Sequence, residues 1–269
     1  MVESNLIGDA VKYSIVSAFG KESGFGDAFK VKRVSDGKIF IAKVNRNLDR
    51  YQDAVDEAMR LKKYSHKNIV RYIDSFSHGD ALTKAFVIVM EFCDGKQILV
   101  LTSAGGDLSD YIKSHGGKQE NFLRYMEYFE QMAEGLHEIH SKKDLHRDVK
   151  PDNVFMLKEG DALVPKLGDL GLARDAKSRS MASSYSKGVG SDYYKAPEAL
   201  KGEAYGQSND VWALGVMLYE MLAGSHPFDN RVDKIINAKK KSLPDWVEKE
   251  TKGLVKSLLS KKHHKRMKT

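Results

Sequence analysis

The chain has 269 residues, of which 41% are hydrophobic and 30% charged, a composition typical of globular proteins and unlike disordered or fibrous chains. Its single cysteine, Cys93, excludes a disulfide framework and a cysteine-based zinc module. No apolar run approaches the length of a membrane span, and the N-terminal residues lack a signal-peptide or myristoylation pattern. We therefore expect a cytoplasmic or nuclear protein that is not secreted and has no membrane partner.

The net charge of +7 is distributed unevenly along the chain. Residues 1–93 carry +3, residues 94–230 carry −5, and residues 231–269 carry +9. A basic excess at one end is typical of a solvated helical face or of a docking site for an acidic partner. The basic runs Lys239–Lys241 and Lys261–Lys268 have little aromatic interleaving and no nucleic-acid motif, so nucleic acid is not the expected partner.

The N-terminal third has the pattern of a small β-rich unit with one helix. Ala28–Val34 alternates apolar and polar residues, Ser35–Gly37 is a turn signal, and Lys38–Val44 follows, so we predict a hairpin. Tyr51–Tyr64 places apolar residues near helical spacing and is predicted to be a helix. Phe86–Phe92 is almost wholly apolar, which is typical of a buried strand.

The remaining two thirds have a helical pattern. Glu120–His140 carries apolar residues near a period of 3.6, and Ser208–Ala223 does the same, with Ser208 as the expected N-cap and Gly224 as the expected stop. The sequence therefore predicts a small β-rich lobe followed by a larger α-rich lobe, with the boundary near Cys93–Gly106. A ligand cleft is expected between two such lobes.

The segment Asp144–Asn153 contains the chemistry-bearing residues Asp148, Lys150 and Asn153. Sixteen residues after Asn153, Asp169 is predicted to lie in an apolar strand that ends in a glycine turn. Two carboxylates and an amide that converge from two loops supply the hard oxygen ligands that Mg²⁺ prefers. One carboxylate is then left to orient a hydroxyl nucleophile, and Lys150 can neutralise charge on a transferring phosphoryl group.

In the order and spacing of its motifs, the chain resembles a eukaryotic protein kinase over roughly residues 14–269. The matching segments are the catalytic loop His146–Asn153, the metal motif Asp169–Gly171, the end of the activation segment Ala196–Glu198, and the central-helix motif Asp210–Gly215. The resemblance also implies an ion pair between Arg266 and Glu198. Three further segments are similar to the NIMA-related subfamily, namely Gly106–Leu108, Gly168–Ala173 and Ser208–Gly215.

The resemblance implies the two-lobed α+β kinase fold, with a small β-rich N-lobe and a larger α-helical C-lobe. One kinase domain is expected to span residues 1–269. Its expected parts are an N-lobe at about 1–93, a hinge with an insertion at about 91–105, and a C-lobe at about 106–269.

The implied activity is transfer of the ATP γ-phosphoryl group to Ser or Thr hydroxyls of protein substrates, with ATP and Mg²⁺ bound. In the family's pattern Asp148 orients the hydroxyl and accepts its proton, and Lys150 stabilises the γ-phosphate. Asn153 and Asp169 hold Mg²⁺. Ser191 matches a hydroxyl that contacts the catalytic Asp and Lys in serine/threonine kinases, so we expect Ser/Thr rather than Tyr acceptors.

The resemblance also implies a nucleotide site in the N-lobe and hinge. Lys43 is expected to grip the α- and β-phosphates and to pair with Glu57, which is preferred over its neighbour Asp56. Met90 falls at the gatekeeper position beside the adenine. The other expected nucleotide contacts are Gly20, Gly24 and Gly26 at the phosphates, Ala28, Glu91 and Cys93 at the adenine, and Asp107 at the ribose.

Three features depart from the family's pattern. The glycines near residues 20–26 are out of register with Gly-x-Gly-x-x-Gly, so we expect weakened ATP affinity. Ile41 stands where the family has alanine against the purine, and Asp94–Ala104 forms an insertion after the hinge. These departures leave a non-catalytic kinase-like scaffold, a pseudokinase that acts through partner binding, as the alternative function.

Arg147, next to the catalytic Asp148, is typical of kinases whose activation segment is phosphorylated. A phosphate there is expected to pair with Arg147 and order the segment. The preferred acceptors are Ser183, Ser184 and Ser186. The alternative is that this serine-rich stretch is simply a flexible loop.

Overall fold

The computed structural model describes residues 6–7, 12–19, 27–79, 84–94, 106–175, 191–203 and 205–267. Its strands are β1 (Leu6–Ile7), β2 (Tyr13–Phe19), β3 (Asp27–Arg33), β4 (Ile39–Asn45), β5 (Tyr72–His78), β6 (Ala85–Glu91), β7 (Asp144–Leu145), β8 (Val154–Glu159), β9 (Ala162–Leu167) and β10 (Arg174–Asp175). Its α-helices are α1 (Tyr51–Lys62), α2 (Leu108–His115), α3 (Phe122–Ser141), α4 (Pro197–Leu200), α5 (Gln207–Ala223), α6 (Val232–Asn237) and α7 (Lys249–Leu258). A β-rich part followed by an α-rich part confirms the predicted α+β organisation.

The N-terminal strands form a six-stranded sheet in the order β1-β2-β3-β4-β6-β5, and each neighbouring pair is antiparallel. Strands β3 and β4 form the predicted hairpin. Gly37, between them, has a φ of +71°, a backbone conformation that glycine adopts without steric cost. Local alternation and turn chemistry therefore sufficed to predict this hairpin.

Successive side chains of β4 and β6 point to opposite faces of the sheet, so the two faces pack against different residues. One face contributes to a compact cluster that includes Phe40, Ala42, Val44, Val87 and Val89. On the other face Ile88 packs in the main core with residues of α1. Because β6 is covered on both faces, its residues are almost all apolar, as the sequence predicted. Lys43 alternates with Ala42 and Val44, so its side chain lies on the α1 side.

Helix α1 confirms the predicted helix, although it ends at Lys62 rather than Tyr64. Its buried residues are Ala54, Glu57, Ala58 and Leu61. Steps of three and four place these residues on one helix face, which packs under the sheet. Glu57 is thus a carboxylate on an otherwise apolar face.

Helix α5 forms the centre of the C-terminal region, and its residues from Asn209 to Leu222 are all buried. The predicted N-cap, Ser208, is wrong. The helix begins at Gln207, and the Gly206 N–H donates to the Asn209 side chain at 2.6 Å. Gly224 ends the helix as predicted, with a φ of +68°.

Arg266 joins the end of the described chain to two other elements. Its guanidinium forms the implied ion pair with Glu198, with Nη2 2.8 Å from Oε2. It also donates to the carbonyls of Ser208 at 3.0 Å and Ser260 at 2.7 Å. Both charged groups are buried, so removing either one leaves an uncompensated charge in the core.

The hinge insertion predicted at Asp94–Ala104 falls almost entirely outside the described residues, which stop at Asp94 and resume at Gly106. The lobe boundaries that depend on this insertion stay predictions. Among the helices that the structure describes, none is both long enough and apolar enough to cross a membrane.

Gly215 lies where α5 meets α7, and a Cβ there would come within 2.7 Å of the Leu258 Cβ. We expect Gly215→Ala to lower the free energy of unfolding by about 1–3 kcal/mol, as overpacking does. The control Gly253→Ala would meet no atom within 4 Å on α7. It should raise stability by about 0.5–1 kcal/mol through helix propensity. Urea unfolding measures both variants, and a Gly215→Ala protein as stable as the parent would contradict the close contact.

Candidate active site

Lys43 and Glu57 form an ion pair between β4 and α1. The Lys43 Nζ lies 2.8 Å from Oε1 and 3.0 Å from Oε2 of Glu57. The two side chains are only 18% and 7% exposed. The contact follows from local structure, since Lys43 lies on the sheet face that covers α1 and Glu57 lies on the buried face of that helix. The structure therefore brings the predicted pair together.

Asp169 brings a second carboxylate to Lys43, with Oδ1 3.0 Å from Nζ. The prediction that Asp169 lies in a strand is wrong, because β9 ends at Leu167 and Asp169 has a left-handed backbone with a φ of +54°. Non-glycine residues keep this conformation only where the surroundings enforce it. Gly171 leaves room for the cluster, since a Cβ there would lie 3.2 Å from the Glu57 Oε2.

The charges around Lys43 set the ionisation of the cluster. Burial acts to lower the pKa of the Lys43 ammonium, but Asp169 and Glu57 outweigh burial and raise that pKa. Burial acts to raise the pKa of the Asp169 carboxyl, but Lys43 lowers it, with further contributions from His146 and Lys150. At neutral pH the lysine is therefore charged and Asp169 is ionised.

Asp148, Lys150 and Asn153 lie together in the predicted catalytic loop. The Asp148 Oδ2 accepts from the Lys150 Nζ and from the Asn153 Nδ2, both at 2.9 Å. Asn153 Nδ2 also donates to the Asp148 carbonyl at 2.8 Å, so the amide oxygen of Asn153 points away from Asp148. The Gly168 N–H donates to the Asn153 carbonyl at 2.9 Å, so this loop lies beside the segment that carries Asp169. The charge of Lys150 also acts on Asp169.

The buried Asp210 of α5 holds the backbone of this loop. Its carboxylate accepts the N–H groups of His146 and Arg147, both at 3.0 Å. It also accepts from the Tyr205 hydroxyl at 2.7 Å and contacts the His140 Nε2 at 2.9 Å. Arg147 has a φ of +70°, and these two backbone hydrogen bonds stabilise that strained conformation.

The predicted hinge residues lie at and just after the end of β6. The Glu91 Oε1 accepts the Arg71 N–H at 2.6 Å and pairs with the buried Lys166 Nζ at 3.1 Å. These contacts fix the side chain of Glu91, and its backbone N–H donates to the Arg71 carbonyl at 3.0 Å. Burial raises the pKa of the Cys93 thiol to about 12, so the thiol stays protonated at neutral pH.

Two residues of the predicted adenine pocket lie on neighbouring strands. Ala28 is paired with Lys43 across the β3–β4 hairpin, and Ile41 is paired with Met90 across β4 and β6. Ile41 therefore stands directly beside the predicted gatekeeper. A branched side chain here takes space that alanine would leave, and its effect on ATP affinity stays a prediction.

Asp107 is the N-cap of α2, and its Oδ1 accepts the Asp110 N–H at 3.0 Å. Burial raises the pKa of the Asp107 carboxyl to about 6, with smaller contributions from the charges of Asp110 and Asp152. The capping hydrogen bond uses one carboxylate oxygen. The predicted contact of Asp107 with a ribose stays a prediction.

Several predicted residues cannot be placed, because they lie outside the described part of the chain. They are the loop glycines Gly20, Gly24 and Gly26, and the activation-segment serines Ser183, Ser184 and Ser186. Ser191 begins the 3₁₀ helix Ser191–Tyr194, but its side chain is not described either. Its contact with Asp148 stays a prediction.

The donor set near Lys43 fits Mg²⁺. Asp169 supplies an ionised carboxylate, and Asn153 supplies an amide oxygen that points away from Asp148. Within the described residues, no group of three or more His, Cys, Asp or Glu side chains is arranged to hold a metal ion. That is compatible with Mg²⁺, which commonly takes one or two carboxylates and completes its shell with phosphates and water.

A polar contact that the sequence did not predict joins the end of α1 to β7. The Tyr64 hydroxyl donates to the Asp144 Oδ2 at 2.6 Å, and the Lys63 Nζ lies 3.2 Å from the same oxygen. Tyr64 and Asp144 are both buried. The sequence signal for this contact was weak, because β7 has only two residues. The one indication was that Asp144 lies two residues before His146, where the predicted catalytic loop begins. The contact ties the helix that carries Glu57 to that loop.

We expect strong coupling between Tyr64 and Asp144. Tyr64→Phe leaves a buried carboxylate with Lys63 as its remaining partner, so we expect it to lower the free energy of unfolding by about 1–3 kcal/mol. The double variant Tyr64→Phe/Asp144→Leu should lose less free energy of unfolding than the two single variants lose together, by at least about 0.5 kcal/mol. The control Tyr219→Phe loses a comparable hydrogen bond, to the Ser242 carbonyl at 3.0 Å, and should add to Asp144→Leu without coupling. Additive losses in the first cycle would refute the coupling.

The raised pKa of the Asp107 carboxyl predicts that the stability of the protein depends on pH. Its folded-state pKa lies above that of an unfolded aspartate, so its contribution becomes less favourable as pH rises through about 4 to 6. Asp107→Asn keeps an N-cap acceptor but removes the buried charge. The unfolding temperature of the variant relative to the parent should therefore rise between about pH 4.5 and 7.5.

The exposed Asp233 provides the control, because Arg231 lowers the pKa of its carboxyl. Asp233→Asn should show a constant difference from the parent over the same pH range, since the carboxyl is ionised in both states. A constant difference for Asp107→Asn as well would contradict the raised pKa.

Comparison with known proteins identifies the family. The family model described as protein kinase domain matches residues 13–269. The chain is 34% identical to serine/threonine-protein kinase Nek5 of Homo sapiens over 230 residues, covering 84% of this chain and 30% of that protein. It is 33% identical to serine/threonine-protein kinase Nek4 of Mus musculus over 264 residues, covering 94% of this chain and 31% of that protein.

A third relative is a probable serine/threonine-protein kinase, nek2 of Dictyostelium discoideum, which is 36% identical over 231 residues, covering 81% of this chain and 50% of that protein. The chain thus spans half or less of the length of these relatives. With the two-lobed fold and the paired Lys43 and Glu57 already in place, the match to the family model leads to one conclusion. The chain belongs to the protein kinase family, and its relatives here are NIMA-related serine/threonine kinases.

Proposed function

We propose that this chain transfers the γ-phosphoryl group of ATP to serine or threonine hydroxyls of protein substrates. The observation that carries the proposal is that the Lys43–Glu57–Asp169 ion cluster lies beside the loop that carries the Asp148–Lys150 pair, since the Gly168 N–H donates to the Asn153 carbonyl at 2.9 Å. Phosphoryl transfer depends mainly on positioning and electrostatic stabilisation. Charged groups held at fixed distances supply both.

At the reacting end, the Asp148 carboxylate orients the acceptor hydroxyl and takes its proton. Asn153 and Lys150 both donate to that carboxylate, which fixes its orientation. Lys150 then neutralises charge that develops on the γ-phosphate. Ser191 is proposed to contact Asp148 and Lys150 and thereby to favour Ser and Thr over Tyr acceptors.

At the nucleotide end, Lys43 binds the α- and β-phosphates, and Glu57 holds the ammonium in position. Asn153 and Asp169 are proposed to hold Mg²⁺, which when bound neutralises phosphate charge. The raised pKa of Lys43 and the lowered pKa of Asp169 keep both groups charged at neutral pH. The other proposed nucleotide contacts are Gly20, Gly24, Gly26, Ala28, Glu91, Cys93 and Asp107.

A pseudokinase scaffold is the alternative function. Ile41 beside Met90 favours it, as do the glycines that are out of register, because both features would weaken ATP binding. Against it, the chain has all six residue types that the reaction requires, at Lys43, Glu57, Asp148, Lys150, Asn153 and Asp169. We therefore favour an active enzyme.

We further propose that phosphorylation of the activation segment, at Ser183, Ser184 or Ser186, increases activity. Arg147 directly precedes Asp148, so a phosphate paired with Arg147 would order the segment beside the catalytic loop. The partners proposed for the chain are its protein substrates and an acidic protein that binds the basic C-terminal region. The cytoplasmic or nuclear location stays a prediction.

Asp148→Asn tests the proposed base. We expect the variant to lower kcat by about 10²–10⁴-fold, because proton transfer is lost while the nucleotide site is intact. The measurement is phosphate transfer to a generic acceptor protein, with Mg-ATP binding followed by thermal shift. A variant as active as the parent would show that Asp148 is not the base.

The same assays separate the enzyme from the scaffold. A parent protein that neither transfers phosphate nor shifts its unfolding temperature with Mg-ATP would favour the pseudokinase. If the parent is active, mapping its autophosphorylated residues tests the three proposed serines.

A further inference from the structure

A basic groove lies on the C-terminal region, formed by the end of α6, the segment that follows it, and α7. Its volume is about 720 Å³, in the range of ligand-binding clefts. Its lining includes Asp245 as its one carboxylate and five lysines, Lys239, Lys240, Lys252, Lys256 and Lys261. We call this feature the lysine groove. None of its lining residues belongs to the proposed catalytic or nucleotide site.

The floor of the lysine groove is apolar. Phe228, Leu243 and Leu259 line it and are buried in the core. Two ammonium groups lie near aromatic rings, with the Lys240 Nζ 5.8 Å from the Tyr219 centroid and the Lys261 Nζ 5.8 Å from the Phe228 centroid. The groove lining therefore combines a buried apolar part with positive charge.

The positive charge of the groove lacks acidic partners among the described residues. The Lys261 Nζ donates to the Ile236 carbonyl at 2.9 Å, which is a neutral group. By contrast, Lys234 and Lys241, which do not line the groove, both pair with Asp229. Within the described chain, no carboxylate lies within 4 Å of the five groove ammonium groups.

Two of the groove lysines lie close to another lysine, Lys240 to Lys256 within the groove and Lys261 to Lys201 outside it. Burial and the charge of Lys256 lower the pKa of Lys240, and burial and the charge of Lys201 lower the pKa of Lys261. Like charges held in a partly buried groove without counter-charge raise the free energy of the unbound protein. An anionic ligand would remove this cost when it binds.

We propose that the lysine groove binds an acidic peptide segment of a protein partner, with carboxylates on the lysines and one apolar side chain on the floor. This proposal deepens the partner proposed above and does not require catalysis. Charge complementarity selects an anion, and the apolar floor favours a peptide. Nucleic acid is disfavoured, because the groove lining given by the described residues includes a single aromatic side chain, Phe228, whereas successive bases stack on several aromatic rings. A flat anionic membrane is disfavoured because the groove is concave.

The test uses the full chain and a fluorescein-labelled peptide in which Glu and Asp residues flank a central Leu-Phe pair. Fluorescence anisotropy measures its affinity at low and physiological salt. Lys240→Glu/Lys256→Glu should weaken binding by at least about 10-fold, since both groove charges are reversed. Lys249→Glu/Lys265→Glu changes the net charge equally at two exposed lysines outside the groove. That matched control should bind within about 2-fold of the parent.

Three outcomes would overturn the proposal. The first is that the parent shows no saturable binding of the peptide, and the second is that both double variants weaken peptide binding equally. The third is that a single-stranded oligonucleotide or anionic vesicles bind the parent more tightly than the peptide does, and that only the groove variant loses this binding. Thermal unfolding of each variant confirms that it is folded. Phosphate transfer by the groove variant separates the two proposals, because lost peptide binding with unchanged transfer assigns the groove to docking rather than to catalysis.

Discussion

The Lys43 ammonium is shared by two carboxylates from distant parts of the chain, and the whole candidate active site depends on that contact. Glu57 comes from α1 and Asp169 from the segment after β9, each about 3 Å from Nζ. A buried ion cluster is stable only when it is complete, since a missing partner leaves an uncompensated charge. The cluster therefore fixes α1, the sheet and the proposed metal-binding residue relative to one another.

The buried helix α5 provides the second fixed point. Asp210 on this helix accepts the backbone N–H groups of His146 and Arg147, which stabilises the strained loop that carries Asp148. The Tyr64–Asp144 hydrogen bond connects the two fixed points, because it joins the end of α1 to the residues just before that loop. The residues proposed to bind phosphate and the residue proposed as the base are thus held by buried polar contacts on elements that pack together.

Sequence patterns predicted the elements whose signals are local. The β3–β4 hairpin, α1, β6 and the end of α5 at Gly224 follow from alternation, helical spacing and glycine, and the structure confirms them. Errors occurred where two local solutions compete, as at the start of α5. There the Gly206 N–H, just before the helix, donates to the side chain of Asn209, and Ser208 lies inside the helix. The predicted strand at Asp169 is wrong because residue type alone does not reveal a left-handed backbone.

By itself, the sequence predicted a β-rich part followed by an α-rich part, the family resemblance and the residue types that phosphoryl transfer requires. Only the tertiary structure decided that Lys43 contacts Asp169, 126 residues away, and that Tyr64 meets Asp144, 80 residues away. The same holds for the lysine groove, where α6, α7 and the segment between them bring together lysines that the sequence shows only as basic runs. The reason is physical: periodicity and turn chemistry act over a few residues, whereas burial and charge pairing depend on which distant surfaces pack together.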